Sequence, residues 1–156
     1  MTVASSPSFS LYPIGKIWTG FESPKDCPHN SRFNEKESTI ELDDAYGDAL
    51  MGLAAASHLI VLYWLDQANR SVMQSRPPHA DKTYGVFAIR SPHRPNPIAI
   101  SAVKILGIDA NRIRVSGLDC IDGTPLLDLK PYVPRIDCIE EAKLDLDWSE
   151  KHMTGA

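Results

Sequence analysis

The sequence predicts a mainly β protein: a single small β-barrel of six or seven strands with one or two short helices. Three observations carry that expectation. Short apolar or alternating runs recur along the chain, each bounded by Gly, Pro, Asn or Asp. Only the segment 43–54 spaces its apolar residues for a helix. A chain of 156 residues that is 43% hydrophobic suits one domain with a real core, and nothing in it marks an internal repeat or a second domain.

Taken in order, residues 1–8 are small and polar and are expected to be disordered. Strands are expected at 10–17 and 38–42, separated by a polar loop holding Cys27-Pro28-His29-Asn30-Ser31-Arg32. Asp43 and Asp44 then put acids into the first turn of a helix in which Leu50, Leu53 and Ala54 fall at helical spacing. Ser57-His58 closes that helix through hydrogen bonds to backbone groups. The β-branched and aromatic residues that follow make 59–65 a core strand with Asp66 at its end. Residues 70–82, with Pro77-Pro78, read as a long loop. Gly85-Val86-Phe87-Ala88-Ile89 reads as a buried strand and 98–105 as another. Gly107-Ile108-Asp109-Ala110-Asn111 is the expected hairpin turn into 111–116, and residues 119–125 make a tight connection to a strand at 126–129.

Between the strands at 85–89 and 98–105 lies Arg90-Ser91-Pro92-His93-Arg94-Pro95-Asn96-Pro97. Each proline fixes its own φ, removes a donor and pushes the preceding residue toward an extended conformation, so polar groups here stand at fixed positions. Such a loop is either a cradle for an anionic ligand or a Pro-rich surface loop with its arginines in water. Charge favours the first without deciding it. Residues 76–135 hold nine Lys/Arg against five Asp, a net of +4 inside a chain of net −4. Arg112 and Arg114 alternate with apolar residues and fit a solvated strand face equally well.

Several chemistries are excluded by what is missing. The chain has no GxGxxG, no GxxxxGK[ST] and no GxSxG, and no His or Cys cluster of metal-ligand spacing, so no metal is expected. Cys27, Cys120 and Cys138 are odd in number and far apart, which argues against a disulfide framework and for a reducing, cytoplasmic location. The apolar run 49–65 is short for a membrane span, is interrupted by Ser57-His58 and is flanked by Asp48 and Asp66, so no membrane partner is expected.

Six blocks, in order, carry a resemblance. They are Tyr12-Pro13-Ile14-Gly15-Lys16-Ile17, Gly52-Leu53 with Ser57-His58-Leu59, Gly85-Val86-Phe87-Ala88-Ile89-Arg90-Ser91, Arg94-Pro95-Asn96-Pro97-Ile98, Asp122-Gly123-Thr124-Pro125 and Asp128-Leu129-Lys130-Pro131-Tyr132. Over roughly residues 10–136 the chain resembles the TsaA-like, or TrmO-type, family. The resemblance implies a small β-barrel domain over 9–140 with a C-terminal tail at 141–156, a short form without the additional C-terminal domain of longer members. It also implies binding of S-adenosylmethionine, assembly as a homodimer, and methylation of the exocyclic nitrogen of a threonylcarbamoyl-modified adenosine next to the tRNA anticodon.

Carried over position by position, the resemblance puts the cofactor on Asn30, Ser31 and Arg32, on Leu65 and Asp66, on Arg90 and Ser101, and on the turn Cys120, Ile121, Asp122 and Gly123. Family members usually have a Pro-Arg-Gln-Pro-Gly type sequence at the first of these, from which this chain departs. In-line methyl transfer onto a nitrogen that already bears a carbonyl is helped by a base or strong acceptor, for which His93, Asp128 and Tyr132 are the candidates. Arg94, Asn96 and Lys130 are assigned to the acceptor substrate, the cations for phosphate or the threonyl carboxylate. Arg90 is expected to lie against the barrel wall and Arg94 to project from the loop apex. Bland roles stay open beside these: Asp122 as a turn residue before Gly123, Asp128 with Lys130 as a surface ion pair, and Tyr132 as core filling. Two other functions stay open as well, methylation of a different small acceptor and a non-catalytic S-adenosylmethionine-binding module.

Overall fold

The computed structural model describes residues 8–29 and 34–149. The expectations for residues 1–7, for Asn30, Ser31 and Arg32, and for residues 150–156 lie outside it. Six strands close into an antiparallel barrel: β1 (Gly15–Trp18), β2 (Glu37–Leu42), β3 (His58–Trp64), β6 (Ile98–Asp109), β7 (Arg112–Ser116) and β8 (Thr124–Pro131), in the order β1-β2-β7-β6-β3-β8. A separate two-stranded ladder pairs β4 (Gln74–Ser75) with β5 (Tyr84–Gly85). The predicted fold class is the observed one.

Alternation builds the core. Along β3 the residues Leu59, Val61 and Tyr63 point inward, while His58, Ile60, Leu62 and Trp64 face out, as the two-residue period of a strand requires. Ile17, Ile40, Val103, Ile113, Val115 and Leu126 complete the interior from the other strands, and Leu118 and Cys120 plug it from a loop. Closure removes the sheet edges that would otherwise need protection. It also demands a tight seam at β1. A Cβ on Gly15 would sit 2.1 Å from the backbone oxygen of Glu41, so only glycine fits where β1 meets β2.

Six local expectations are corrected. The helix at 43–54 is a 3-10 turn, Asp44–Leu50, followed after Met51 and Gly52 by a second, Leu53–Ala55. Gly52 adopts φ 87°, a left-handed conformation that ends the first turn before an α-helix can propagate. The buried strand at 85–89 is instead the end of β5 and a 3-10 turn, Val86–Ala88; Val86 and Ile89 are buried, three apart, while Phe87 is 81% exposed. The hairpin turn is only Ala110 and Asn111, because β6 continues to Asp109 with a register shift between Ile105 and Gly107. The loop 70–82 holds β4, and β1 is shorter than expected, opening at Gly15. Ser57 leads into β3 and His58 opens it, the two side chains bonded to each other (2.8 Å), rather than capping a helix.

Strand direction sorts the connections to two ends of the barrel. β1 runs toward Trp18, which faces Thr39; β8 begins at Thr124 beside Ile17; β3 ends at Trp64 beside Ile98. One end therefore collects the connections after β1, after β3 and before β8. The other collects the 3-10 turns after β2, the Ala110-Asn111 turn and the exit of β8 at Pro131.

Candidate functional site

At the first end, the connections after β1 and before β8 are locked together, chiefly by side chains bonded to backbone. Thr19, buried just past β1, donates through Oγ1 to the Cys120 carbonyl (2.8 Å). Asp122 Oδ1 accepts the amides of Thr19 and Gly20, both at 2.8 Å. Gly123, at φ 79°, turns the chain into β8 and donates to the Ile17 carbonyl. Asp122 thus has the turn role that a residue before Gly123 suggests, and with the same oxygen it fixes the loop after β1.

Deeper in, Tyr63 is 2% exposed, and its hydroxyl donates to Asp119 Oδ1 (2.7 Å) and lies 2.9 Å from Ser101 Oγ. Tyr63 has one hydroxyl proton, spent on Asp119, so buried Ser101 donates to Tyr63 and keeps its own oxygen as an acceptor. Burial, then the Asp119 charge, pushes the Tyr63 phenol far above its ordinary range, which holds it in the donor form. Burial likewise pushes the Cys120 thiol up to about 12, with Asp119 adding to the shift. Cys27 is also raised, by burial first and then by Asp119 and Asp26. These thiols are protonated and are not nucleophiles at neutral pH.

The Pro-rich loop joins the same end. The Leu65 amide donates to the Pro97 carbonyl (2.9 Å), and Arg70 holds the loop through the Pro95 carbonyl (2.7 Å) and Asn96 Oδ1 (3.2 Å), its guanidinium 5.4 Å from the Trp64 ring centroid. His93 Nδ1 accepts the Asn69 amide (2.9 Å); in the neutral ring the proton then sits on Nε2, so His93 offers a donor outward rather than a base. The two arginines exchange their expected places. Arg94 folds back, its Nη1 donating to the Ile89 and Ser91 carbonyls at 3.3 and 3.4 Å with the guanidinium 5.9 Å from the Phe87 centroid. Arg90 is the exposed one. Carbonyls left without amide partners among three prolines draw the nearer guanidinium inward.

The described cofactor candidates therefore gather at one end: Leu65, Asp66, Arg90, Ser101, Cys120, Ile121, Asp122 and Gly123. The catalytic candidates do not gather. His93 belongs to this end, whereas Asp128 and Tyr132 line an open apolar cleft of about 610 Å³ at the other, with Ile14, Leu42, Leu50 and Leu53. The Tyr132 amide donates to the His58 carbonyl, at the start of β3, whereas Leu65 follows its end. At about 3.3 Å per residue those positions lie roughly 20 Å apart. Asp128 pairs with Lys130 Nζ (2.8 Å) on the barrel's flank, so the acceptor candidates divide as well, Arg94 and Asn96 at one end and Lys130 toward the other. That cleft is thus not where the cofactor residues are. The polar end is the better site, because it has the oriented donors and acceptors a polar ligand needs, whereas the cleft is lined mainly by apolar residues.

Tyr63, Asp119, Thr19 and Arg70 escape sequence reasoning. Tyr63 and Thr19 look like strand residues, and only the closed barrel aims Tyr63 at Asp119, 56 positions away. The one legible signal was an acid at each end of Asp119-Cys120-Ile121-Asp122.

Fold and site together define a class: small closed antiparallel barrels whose loops gather oriented polar groups at one end. Residues 16–138 match the model of the tRNA-methyltransferase O N-terminal domain, and the chain belongs to that family. Two proteins of Archaeoglobus fulgidus are similar to it. A probable S-adenosyl-L-methionine-binding protein is 43% identical over 90% of this chain and 38% of its own length; an S-adenosyl-L-methionine-binding protein is 42% identical over 84% of this chain and 94% of its own. A putative S-adenosylmethionine-dependent methyltransferase, RcsF, of Pseudomonas aeruginosa is 35% identical over 91% of this chain and 69% of its own. Crystal structures of TrmO superimpose with TM-scores of 0.75, for the P. aeruginosa protein, and 0.76, at 37% and 35% identity. The match covers 89% and 91% of this chain but only 61% and 63% of those chains.

Proposed function

We propose that this chain binds S-adenosylmethionine at the polar end of the barrel and methylates the exocyclic nitrogen of threonylcarbamoyl-modified adenosine in tRNA, in the cytoplasm. The observation that carries it is the convergence on that end of the connections after β1, after β3 and before β8, the first and last of them tied together by Thr19 and Asp122. The donor set fits the ligand. Leu65 and Ile121 are half-buried apolar walls for an adenine, Arg90 is an exposed cation for a carboxylate, and Ser101, Asp119 and Asp122 are acceptors for hydroxyl and ammonium protons. When bound, the sulfonium supplies an activated methyl group for in-line transfer. The chain's part is to orient: Arg70 holds the Pro-rich loop still, and His93 presents Nε2–H toward an acceptor carbonyl or phosphate.

Both ends of the barrel serve one acceptor if two copies meet. The separation of His93 from Asp128 and Tyr132 supports a homodimer in which one copy's far end completes the other's site. An outward apolar stripe, Ile98 (40% exposed) and Ile100 (51% exposed) beside Leu62 and Trp64, supports the same assembly. A second reading, a non-catalytic S-adenosylmethionine-binding module, is favoured by the engaged state of the base candidates: His93 Nδ1 is occupied and Asp128 is ion-paired.

Calorimetry with S-adenosylmethionine and mass spectrometry of tRNA nucleosides after incubation with protein test these readings. Binding at one site per chain with methylated nucleoside supports the enzyme. Binding without methyl transfer to tRNA supports the module, and no heat at millimolar ligand with folded protein removes both.

A further inference from the structure

Asp119 is a half-buried carboxylate with no cation paired to it among the described residues. The three ion pairs there, Arg112 with Glu41, Arg114 with Glu37 and Lys130 with Asp128, all lie on the barrel's outer face. A charge drawn out of water without a partner is costly, and such a group persists where something supplies the opposite charge. Asp119 is held deliberately. Tyr63 donates to Oδ1 at 2.7 Å, and Ser101 in turn donates to Tyr63, so the protons point from Ser101 through Tyr63 to the carboxylate. Asp119 belongs to the connection before β8, which Thr19 and Asp122 tie to the loop after β1.

Resting on the S-adenosylmethionine reading above, we propose that Asp119 is the counter-charge for the ammonium of the cofactor's amino-acid end, with Tyr63 as its positioning residue. The relay leaves Ser101 as an acceptor beside it, and Arg90 at the outer rim is free to meet the carboxylate. One anion inside and one cation at the rim distinguish the two charges of an amino acid, and a neutral thioether nucleoside would gain from neither.

Calorimetry with two ligands isolates this. S-adenosylhomocysteine carries the ammonium; 5′-methylthioadenosine keeps the adenosine thioether and lacks the amino-acid end. Asp119→Asn, which still accepts from Tyr63, should weaken S-adenosylhomocysteine on the order of tenfold, as loss of a charge-assisted hydrogen bond does, and leave 5′-methylthioadenosine within about twofold. Tyr63→Phe should weaken the first ligand less and spare the second. Unchanged melting temperature for Asp119→Asn shows that the loss is local. Equal loss for both ligands, or none for either, overturns the proposal while the cofactor reading stands. Wild-type protein that binds neither ligand overturns the cofactor reading and this proposal with it.

Discussion

The two ends of this barrel are built on different principles. At the polar end, backbone is fixed by side chains: Thr19 to Cys120, Asp122 to Thr19 and Gly20, Arg70 to Pro95, Tyr63 to Asp119. At the opposite end, two 3-10 turns without a buried residue lie over an open cleft lined by Leu42, Leu50, Leu53 and Tyr132. Directional bonds specify positions, whereas apolar contact specifies only proximity, so a ligand that must be oriented belongs at the first end. The second end is suited to adapting to whatever meets it.

The largest break in that comparison comes from the seam rather than from either end. Gly15→Ala puts a Cβ 2.1 Å from the Glu41 oxygen, a backbone atom that cannot swing away. We expect a loss of about 3–5 kcal/mol, read by urea unfolding, with cofactor binding lost together with the fold; a variant as stable as wild type would show that the strands part easily.

Alkaline pH separates the ends next. Tyr63 and Cys120 are held protonated in the folded barrel, and both belong to the polar end. For a thiol or phenol raised on folding, the unfolded chain ionises first and binds fewer protons, so stability is full below pH about 9 and declines above it. Each group contributes a slope of about 1.4 kcal/mol per pH unit, Cys120 until roughly pH 12. Melting temperature should therefore fall from pH 9 upward, and Cys120→Ala should flatten the first part of the fall even if it lowers stability at neutral pH. An identical decline in that variant refutes the assignment.

The smallest effect is the most local. Asp122→Ala removes the acceptor for two amides and should cost about 2 kcal/mol in unfolding experiments. Cofactor affinity should fall as well, since the loop after β1 loses its tie to the turn. A stability loss with unchanged affinity would mean that this tie serves the barrel alone.

Much of the barrel was legible because strand alternation is a property of adjacent residues. Leu59, Val61 and Tyr63 announce their inward face without reference to anything else. The site was legible only as segments. Which arginine of the Pro-rich loop is exposed depended on the carbonyls of Ile89 and Ser91, which Arg94 caps and whose availability no local pattern reveals. Val86 and Ile89, three apart, mark the 3-10 turn before that loop, but an apolar run of five residues conceals a period of three behind a period of two. Asp119 was illegible for a different reason: its meaning lies in Tyr63, which reaches it only after the barrel closes.

One carboxylate outside the barrel ties two segments together. Asp147, in the segment leaving the barrel after the one-turn helix α1 (Pro134–Asp137), accepts the Asp81 amide at 2.7 Å and the Tyr84 hydroxyl. The β4–β5 ladder it touches has two residues per strand, too few to persist in water unaided. The far end of the chain is thus a latch on the ribbon that leads into Val86–Ala88 and Arg90. Its release should lower the local opening free energy of that ribbon more than the global one, so amide hydrogen exchange at Val86, whose N–H bonds to the Met73 carbonyl, should quicken when Asp147 is replaced by alanine.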